Sequence, residues 1–427
     1  MKSIEFLYSF LLCVMFFYLN YKKIGLKNKS ALLPSTVFAL MWGITSLGGF
    51  LFRNGLAYDE DVYITYYLTA TNLDEISVYQ FHILIVIFTA FLLARFNNQS
   101  LKFADFDSIN NSININKTTK DFRWILVLFF IIGILRLIIV VNLVGFNYAA
   151  IRNLYITGRD SFSMFDIWLV RIGSYLMRAT VFYIALLGIE AAMHGIDIKK
   201  TIKNFALFAP FQMSFGGRLF ILSFFVPFFL SYFIVSFLSK TKMSAAERSK
   251  LTTIGTAGFG LVVLLAILKQ GINVDIATLI SYTSEIFYTA ASYHYMNEFW
   301  AYLPTSVDLG YGQNILGMGS SIVNDIHNAW ITTGNNAIMM TPSMIPDVFM
   351  DFGKTGSLIF FFFLFYLIES IAMKLMRYPD IINILIYMLL CYFCFSTPGS
   401  SMGDCIKALF ISYILVIILK KYFVTKI

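Results

Sequence analysis

The 427-residue chain is 58% apolar and 18% aromatic, with only 13% of its residues charged, and its apolar residues fall in long runs separated by short polar stretches. A run of about 20 apolar residues can cross hydrocarbon as a helix because its backbone hydrogen bonds close internally, so the pattern excludes a soluble protein and implies an integral membrane one. The net charge of +8 reports topology and contact with anionic lipid rather than nucleic-acid binding.

The expected fold class is all-α, a polytopic integral membrane protein with about 11 transmembrane helices. Spans fall near 4–20, 31–52, 76–94, 124–144, 165–188, 204–215, 219–238, 252–268, 356–373, 380–397 and 405–419. The sixth is short, as a tilted or re-entrant element would be. No small-x-small cleavage site precedes the lysines that follow the first run, so that run is expected to remain as a mature span. Short basic loops are retained in the cytoplasm. Lys22, Lys23, Lys27 and Lys29, the loop at 95–123, the cluster of Lys199, Lys200 and Lys203, the loop at 239–250, Lys374 with Arg377, and Lys420, Lys421 and Lys426 all fall on one face. The amino terminus is thus expected outside and the carboxyl terminus in the cytoplasm. Cys13, Cys391, Cys394 and Cys405 lie in or beside spans and lack the second pair that a zinc site needs, which makes them small buried apolar side chains.

Three regions follow: a membrane bundle with basic outer loops over 1–268, a large outer loop over 269–355, and C-terminal helices with a cytoplasmic tail over 356–427. The loop is rich in Tyr, Trp, Ile and Met, with a helical stretch from Ile276 to Trp300 carrying Tyr282, Tyr288, Tyr293 and Tyr295. Those rings can anchor at a membrane interface or present apolar faces to sugars while their polar tips bind hydroxyls. Prolines 304, 342 and 346, with Gly310, Gly312, Gly317 and Gly319, divide it into short ordered pieces forming a cap on the bundle.

Outward segments carry arginines where membrane proteins normally avoid them: Arg53, Arg152 with Arg159, and Arg218. Arg152 and Arg159 are seven residues apart and share a face if their segment is helical. Two guanidinium forks on one face can hold a diphosphate; lipid headgroups, or a salt bridge from Arg159 to Asp160 or Asp166, are the other readings. Arg218 follows Gly216-Gly217, a pair that lets the backbone turn sharply or approach a ligand, and is the best single anion-binding candidate. Arg136, Arg171 and Arg178 fall inside spans, where a charge needs a partner or a wet cavity. Arg171 and Arg178 share a helix face and either line the route of a lipid-linked phosphate or pair with Glu190 or Asp404.

The second span with Pro34 and Trp42, the Gly216-Gly217-Arg218 step opening a long apolar run, and the large outer loop closing on Asp351-Phe352-Gly353-Lys354-Thr355-Gly356 together resemble the Wzy-type O-antigen, or oligosaccharide repeat-unit, polymerases. The two glycines of the last motif allow a helix entrance and close packing, with Asp351 near the positive end of that helix.

The resemblance implies a glycosyltransferase in the bacterial inner (plasma) membrane. Such enzymes join repeat units carried on undecaprenyl diphosphate, use no cofactor, metal or nucleotide sugar, and work beside membrane lipids with a chain-length regulator and a flippase of the same pathway. Inverting transfer from a lipid diphosphate needs cations for the leaving group and a base for the acceptor hydroxyl. Arg218, Arg152 and Arg159, with Arg178 and Arg171, would supply the first. For the base, the loop offers His327, His294 and Asp351, a histidine being suited to proton removal near neutrality. The competing classes are a lipid-linked oligosaccharide flippase and the O-antigen ligase, whose His-Asn and Gly-x-x-Gly arrangement His327-Asn328 and the later glycines also resemble.

Overall fold

The structure is a computed structural model that describes residues 3–20, 33–54, 73–98, 115–147, 150–151, 154, 162–215, 220–238, 244–270, 313, 315, 344–377, 380–398, 400 and 402–424. Every regular element among them is helical. In chain order these are α1 (Glu5–Leu19), α2 (Pro34–Arg53), α3 (Leu73–Asn97), α4 (Ile115–Asp121), α5 (Arg123–Val144), α6 (Met164–His194), α7 (Ile198–Met213), α8 (Phe220–Leu238), α9 (Ala245–Gln270), α10 (Met344–Leu375), α11 (Ile381–Ser396) and α12 (Met402–Val424).

Every span expected from the sequence overlaps one of these helices. Five segments among the described residues are long and apolar enough to cross a membrane: Pro34–Leu51, Asp74–Asn97, Ile115–Val144, Met164–His194 and Val348–Leu375. Glu5–Leu19, Ser223–Ser236 and Ile381–Ser396 are shorter apolar helices. The described residues are therefore all helical, with the apolar helices of a membrane protein.

Local signals explain where several helices begin and end. Ser163 caps α6 by accepting the Asp166 amide at 3.2 Å, and Asp197 caps α7 by accepting the Lys200 amide at 3.1 Å. Ser244 and Glu247 form a reciprocal capping box at the start of α9, with backbone-to-side-chain bonds of 3.0 and 3.2 Å. The early cap at Asp197 is why α7 begins six residues before the expected span: Lys199, Lys200 and Lys203, read as loop, occupy its first turns.

The chain divides into two compact units. The first comprises Met1–Phe103, Ser281–Arg377 and Leu390–Leu409. Here α1 packs on α2 and α3, and α3 lies along α10. An aromatic cluster fills the centre: Phe16 stacks on Phe88 at 4.3 Å between centroids, Phe38 meets Phe365 edge-on at 4.8 Å, and Phe91 meets Phe365 at 5.5 Å.

The second unit comprises Ala104–Ile280, Tyr378–Leu389 and Phe410–Ile427. In it α6 packs on α8, and α5 packs on both α6 and α7. A Cβ added at Gly188 of α6 would stand 2.0 Å from Ser231 Oγ and 2.3 Å from the Phe228 carbonyl oxygen of α8. Lipid tails are as apolar as leucine, so helices in a bilayer gain little by hiding apolar surface; glycine contacts of this kind let backbones approach and gain dispersion instead.

Candidate functional site

Among the described residues, three buried polar constellations stand out, two in the first unit and one in the second. Each is built from residues far apart in sequence.

The first joins the last residues of α1, the first of α2, and the late turns of α3 and α10. Arg95 Nε donates to Glu369 Oε1 at 2.8 Å, with side-chain exposures of 6% and 0%. The Ser35 hydroxyl and amide also donate to that carboxylate, at 2.7 and 3.3 Å. The remaining guanidinium nitrogens donate to the Asn20 side-chain carbonyl and the Ser35 hydroxyl, and Asn20 donates to Thr36 Oγ1 at 3.0 Å. Arg95 also lies 5.3 Å from the centroid of the Phe16 ring. A charge withdrawn from water needs this degree of compensation, and the network supplies it from four helices.

The second constellation lies at the other end of the same helices, around Asp351-Phe352-Gly353-Lys354-Thr355-Gly356. Helix α10 is broken inside this motif: Gly353 has φ 66° and ψ −173°, a conformation that glycine alone adopts readily. A short buried helix with Met344, Ile345, Val348, Phe349 and Met350 turned inward precedes the break, and the long apolar helix follows it. A Cβ on Gly356 would stand 2.8 Å from the Phe352 Cβ, so the second glycine admits the Phe352 side chain at the turn. The expected helix entrance and close packing at the two glycines are both present.

Asp351 itself is fully buried, and its Oδ2 accepts the backbone N–H of Ile315 at 2.9 Å. Around it the Tyr79 and Ser357 hydroxyls are hydrogen-bonded, and the Tyr79 ring meets Phe349 edge-on at 5.1 Å. The start of α10 is held as well: the Met344 amide donates to the Thr397 carbonyl at 2.9 Å, and Trp42 Nε1 donates to Thr397 Oγ1 at 3.0 Å.

The third constellation is in the second unit. Arg136, expected inside a span, is wholly buried in α5 with its Nε 3.3 Å from Asp166 Oδ1 and one terminal nitrogen donating to Ser214 Oγ at 2.9 Å. Its guanidinium carbon sits 3.6 Å from the centroid of the Phe215 ring, a close cation–π contact. Arg136 thereby grips the end of α7, and Phe215 is the last described residue before Gly216-Gly217-Arg218.

Arg218, Arg152, Arg159, His327 and His294 lie outside the described residues, and Arg53 is the last residue of α2. Arg171 and Arg178 are both on α6. Arg171 is exposed; Arg178 is half-buried, 5.8 Å from the Tyr175 ring centroid. Glu190, one of the partners considered for them, is ion-paired with Lys200 instead.

Sequence reasoning missed Arg95 and Glu369. The sequence places Arg95 in a cytoplasmic loop, whereas α3 runs on to Asn97 and buries it. The signal was Glu369, the single carboxylate in the apolar stretch Phe360–Met373, since an acid so placed requires a cation among the other helices. Among the described residues no group of three or more His, Cys, Asp or Glu side chains is placed to hold a metal ion. Comparison with protein-family models, curated proteins and solved structures finds no match.

Proposed function

We propose that the chain is a repeat-unit polymerase of bacterial surface polysaccharide, embedded in the inner membrane with its amino terminus outside and its carboxyl terminus in the cytoplasm. The observation that carries the reading is the Asp351-Phe352-Gly353-x-x-Gly356 step. A buried carboxylate there ties Ile315, within the stretch assigned to the outer face, to a broken helix of the bundle. A flippase has no need of a seated outer stretch, whereas an enzyme acting at the outer face must hold one in register with its lipid-borne substrate.

In the proposed reaction a hydroxyl of the incoming unit attacks the anomeric carbon of the growing glycan. The bond from that carbon to the undecaprenyl diphosphate oxygen breaks, and the electron pair leaves with the diphosphate. Arg218, Arg152 and Arg159 neutralise the departing charge, and Arg171 and Arg178 guide the lipid-borne phosphate along α6. His327 takes the hydroxyl proton, with His294 as the second candidate.

The test is the lipopolysaccharide or capsule ladder of a strain lacking the gene, complemented with wild type, Arg218→Ala or His327→Ala at matched protein levels. Polymerase function gives a single repeat unit on core in the deletion strain and a ladder restored by wild type alone. Loss of even the single-unit band, with repeat units left on cytoplasmic-face lipid, would identify a flippase. Full-length polymer that stays on undecaprenyl diphosphate would identify a ligase.

A further inference from the structure

From the geometry around α10 we infer that Asp351 is a positioning residue, one that holds the outer stretch in place through the Ile315 amide and takes no proton from the acceptor. The inference rests on the polymerase reading for its link to activity, but the tether itself is read from described residues alone.

Burial and direction both support it. Asp351 is 0% exposed, and Met344, Ile345, Val348 and Phe349 of the same short helix are buried too. A general base must reach a hydroxyl proton within hydrogen-bonding distance, and a carboxyl group with no exposed surface presents nothing to a sugar. Its Oδ2 is instead engaged by a backbone N–H from 36 residues earlier in the chain. A carboxylate accepting a backbone amide is a strong, directional tether, and here both ends are shielded, because Ile315 is itself only 7% exposed.

The motif around it is arranged for that purpose. The positive φ at Gly353 kinks the chain between the short buried helix and the long one, two residues after the Asp351 that accepts the Ile315 amide. Glycine at 356 lets Phe352 fold against the turn, and Phe352 then stacks on Phe360 at 5.4 Å. The Met344 amide on Thr397, with Trp42 behind it, fixes the other end of the short helix. Each of these features holds the segment that carries Asp351. Ile315 lies within the sequence stretch Lys269–Thr355, which also contains the candidate bases His294 and His327.

Asparagine separates tether from base, because its side-chain oxygen still accepts an N–H while its amide cannot take up a proton near neutrality. Full-length wild type, Asp351→Asn and Asp351→Ala would be compared in nanodiscs by amide hydrogen exchange of the peptide containing Ile315. Glycan transfer would be measured in parallel as a function of pH. A tether predicts that Asp351→Ala exchanges at Ile315 about tenfold faster while the spanning helices keep their protection. It also predicts that Asp351→Asn keeps slow exchange, most of the transfer rate and the wild-type pH profile.

Unchanged exchange at Ile315 in Asp351→Ala would overturn the inference. So would an Asp351→Asn variant that keeps slow exchange yet loses transfer or its pH dependence, since that result makes the carboxylate a chemical participant. Should wild type transfer no glycan at all, the polymerase reading fails on that arm alone, and the exchange arm still decides whether Asp351 holds the stretch.

Discussion

Arg95 Nε and Glu369 Oε1 meet at 2.8 Å although 274 residues separate them, and the pair is closed from solvent within the first unit. Breaking such a pair by removing one partner leaves an uncompensated buried charge, typically at a cost of about 3–5 kcal/mol, whereas replacing both by apolar groups is frequently neutral. Arg95→Met and Glu369→Leu are each expected to lower accumulation in the membrane and the melting temperature in detergent. The Arg95→Met/Glu369→Leu double variant is expected to recover most of both. A double variant as unstable as the worse single one would contradict this.

Arg136 and Asp166 form the matching pair of the second unit, with an added consequence. Arg136 also binds Ser214 and lies over Phe215, so Arg136→Met loosens the end of α7 as well as stranding Asp166. The expected loss is about 3–5 kcal/mol. Arg136→Lys should retain part of the stability, because an ammonium keeps the charge but loses the planar fork and its stacking. Thermal unfolding of the purified variants measures both.

Two glycines give opposite expectations for the same change. Gly188→Ala would drive a Cβ to within 2.3 Å of the Phe228 carbonyl, a backbone atom that cannot rotate away, and is expected to destabilise by about 1–3 kcal/mol. Gly255→Ala on α9 meets nothing within 4 Å and should be neutral or stabilising by up to about 1 kcal/mol. Melting temperatures measured side by side decide the comparison.

The proposed proton removal by His327 carries a pH signature. A histidine base works in its neutral form, so transfer should rise with pH through the range near 6.5 and level off above it. In His327→Gln the rate should fall by about a hundredfold or more, and that limb should disappear. An unchanged limb would pass the role to His294, tested in the same way with His294→Gln.

The helices were legible in the sequence because each apolar run encodes its own span without reference to its neighbours. The errors fall at the ends: Lys200 and Arg95 look like loop residues, but a cap at Asp197 starts α7 beneath the first, and the Glu369 carboxylate draws the second into the bundle. The break in α10 was visible in its two glycines. The direction of the Asp351 side chain was not, since its partner is a backbone amide that no residue type announces. Convergence is a property of packing, so Arg136 could be recognised as a charge needing a partner while Ser214 and Phe215 could not be named as the residues it holds.

The most direct measurement uses the purified chain in liposomes with undecaprenyl-diphosphate-linked repeat units added outside, following glycan length and released undecaprenyl diphosphate together. The account predicts a ladder of repeat units, with one undecaprenyl diphosphate freed for each linkage formed and both products lost in Arg218→Ala. Movement of intact lipid-linked units across the bilayer with no elongation and no free undecaprenyl diphosphate would contradict it.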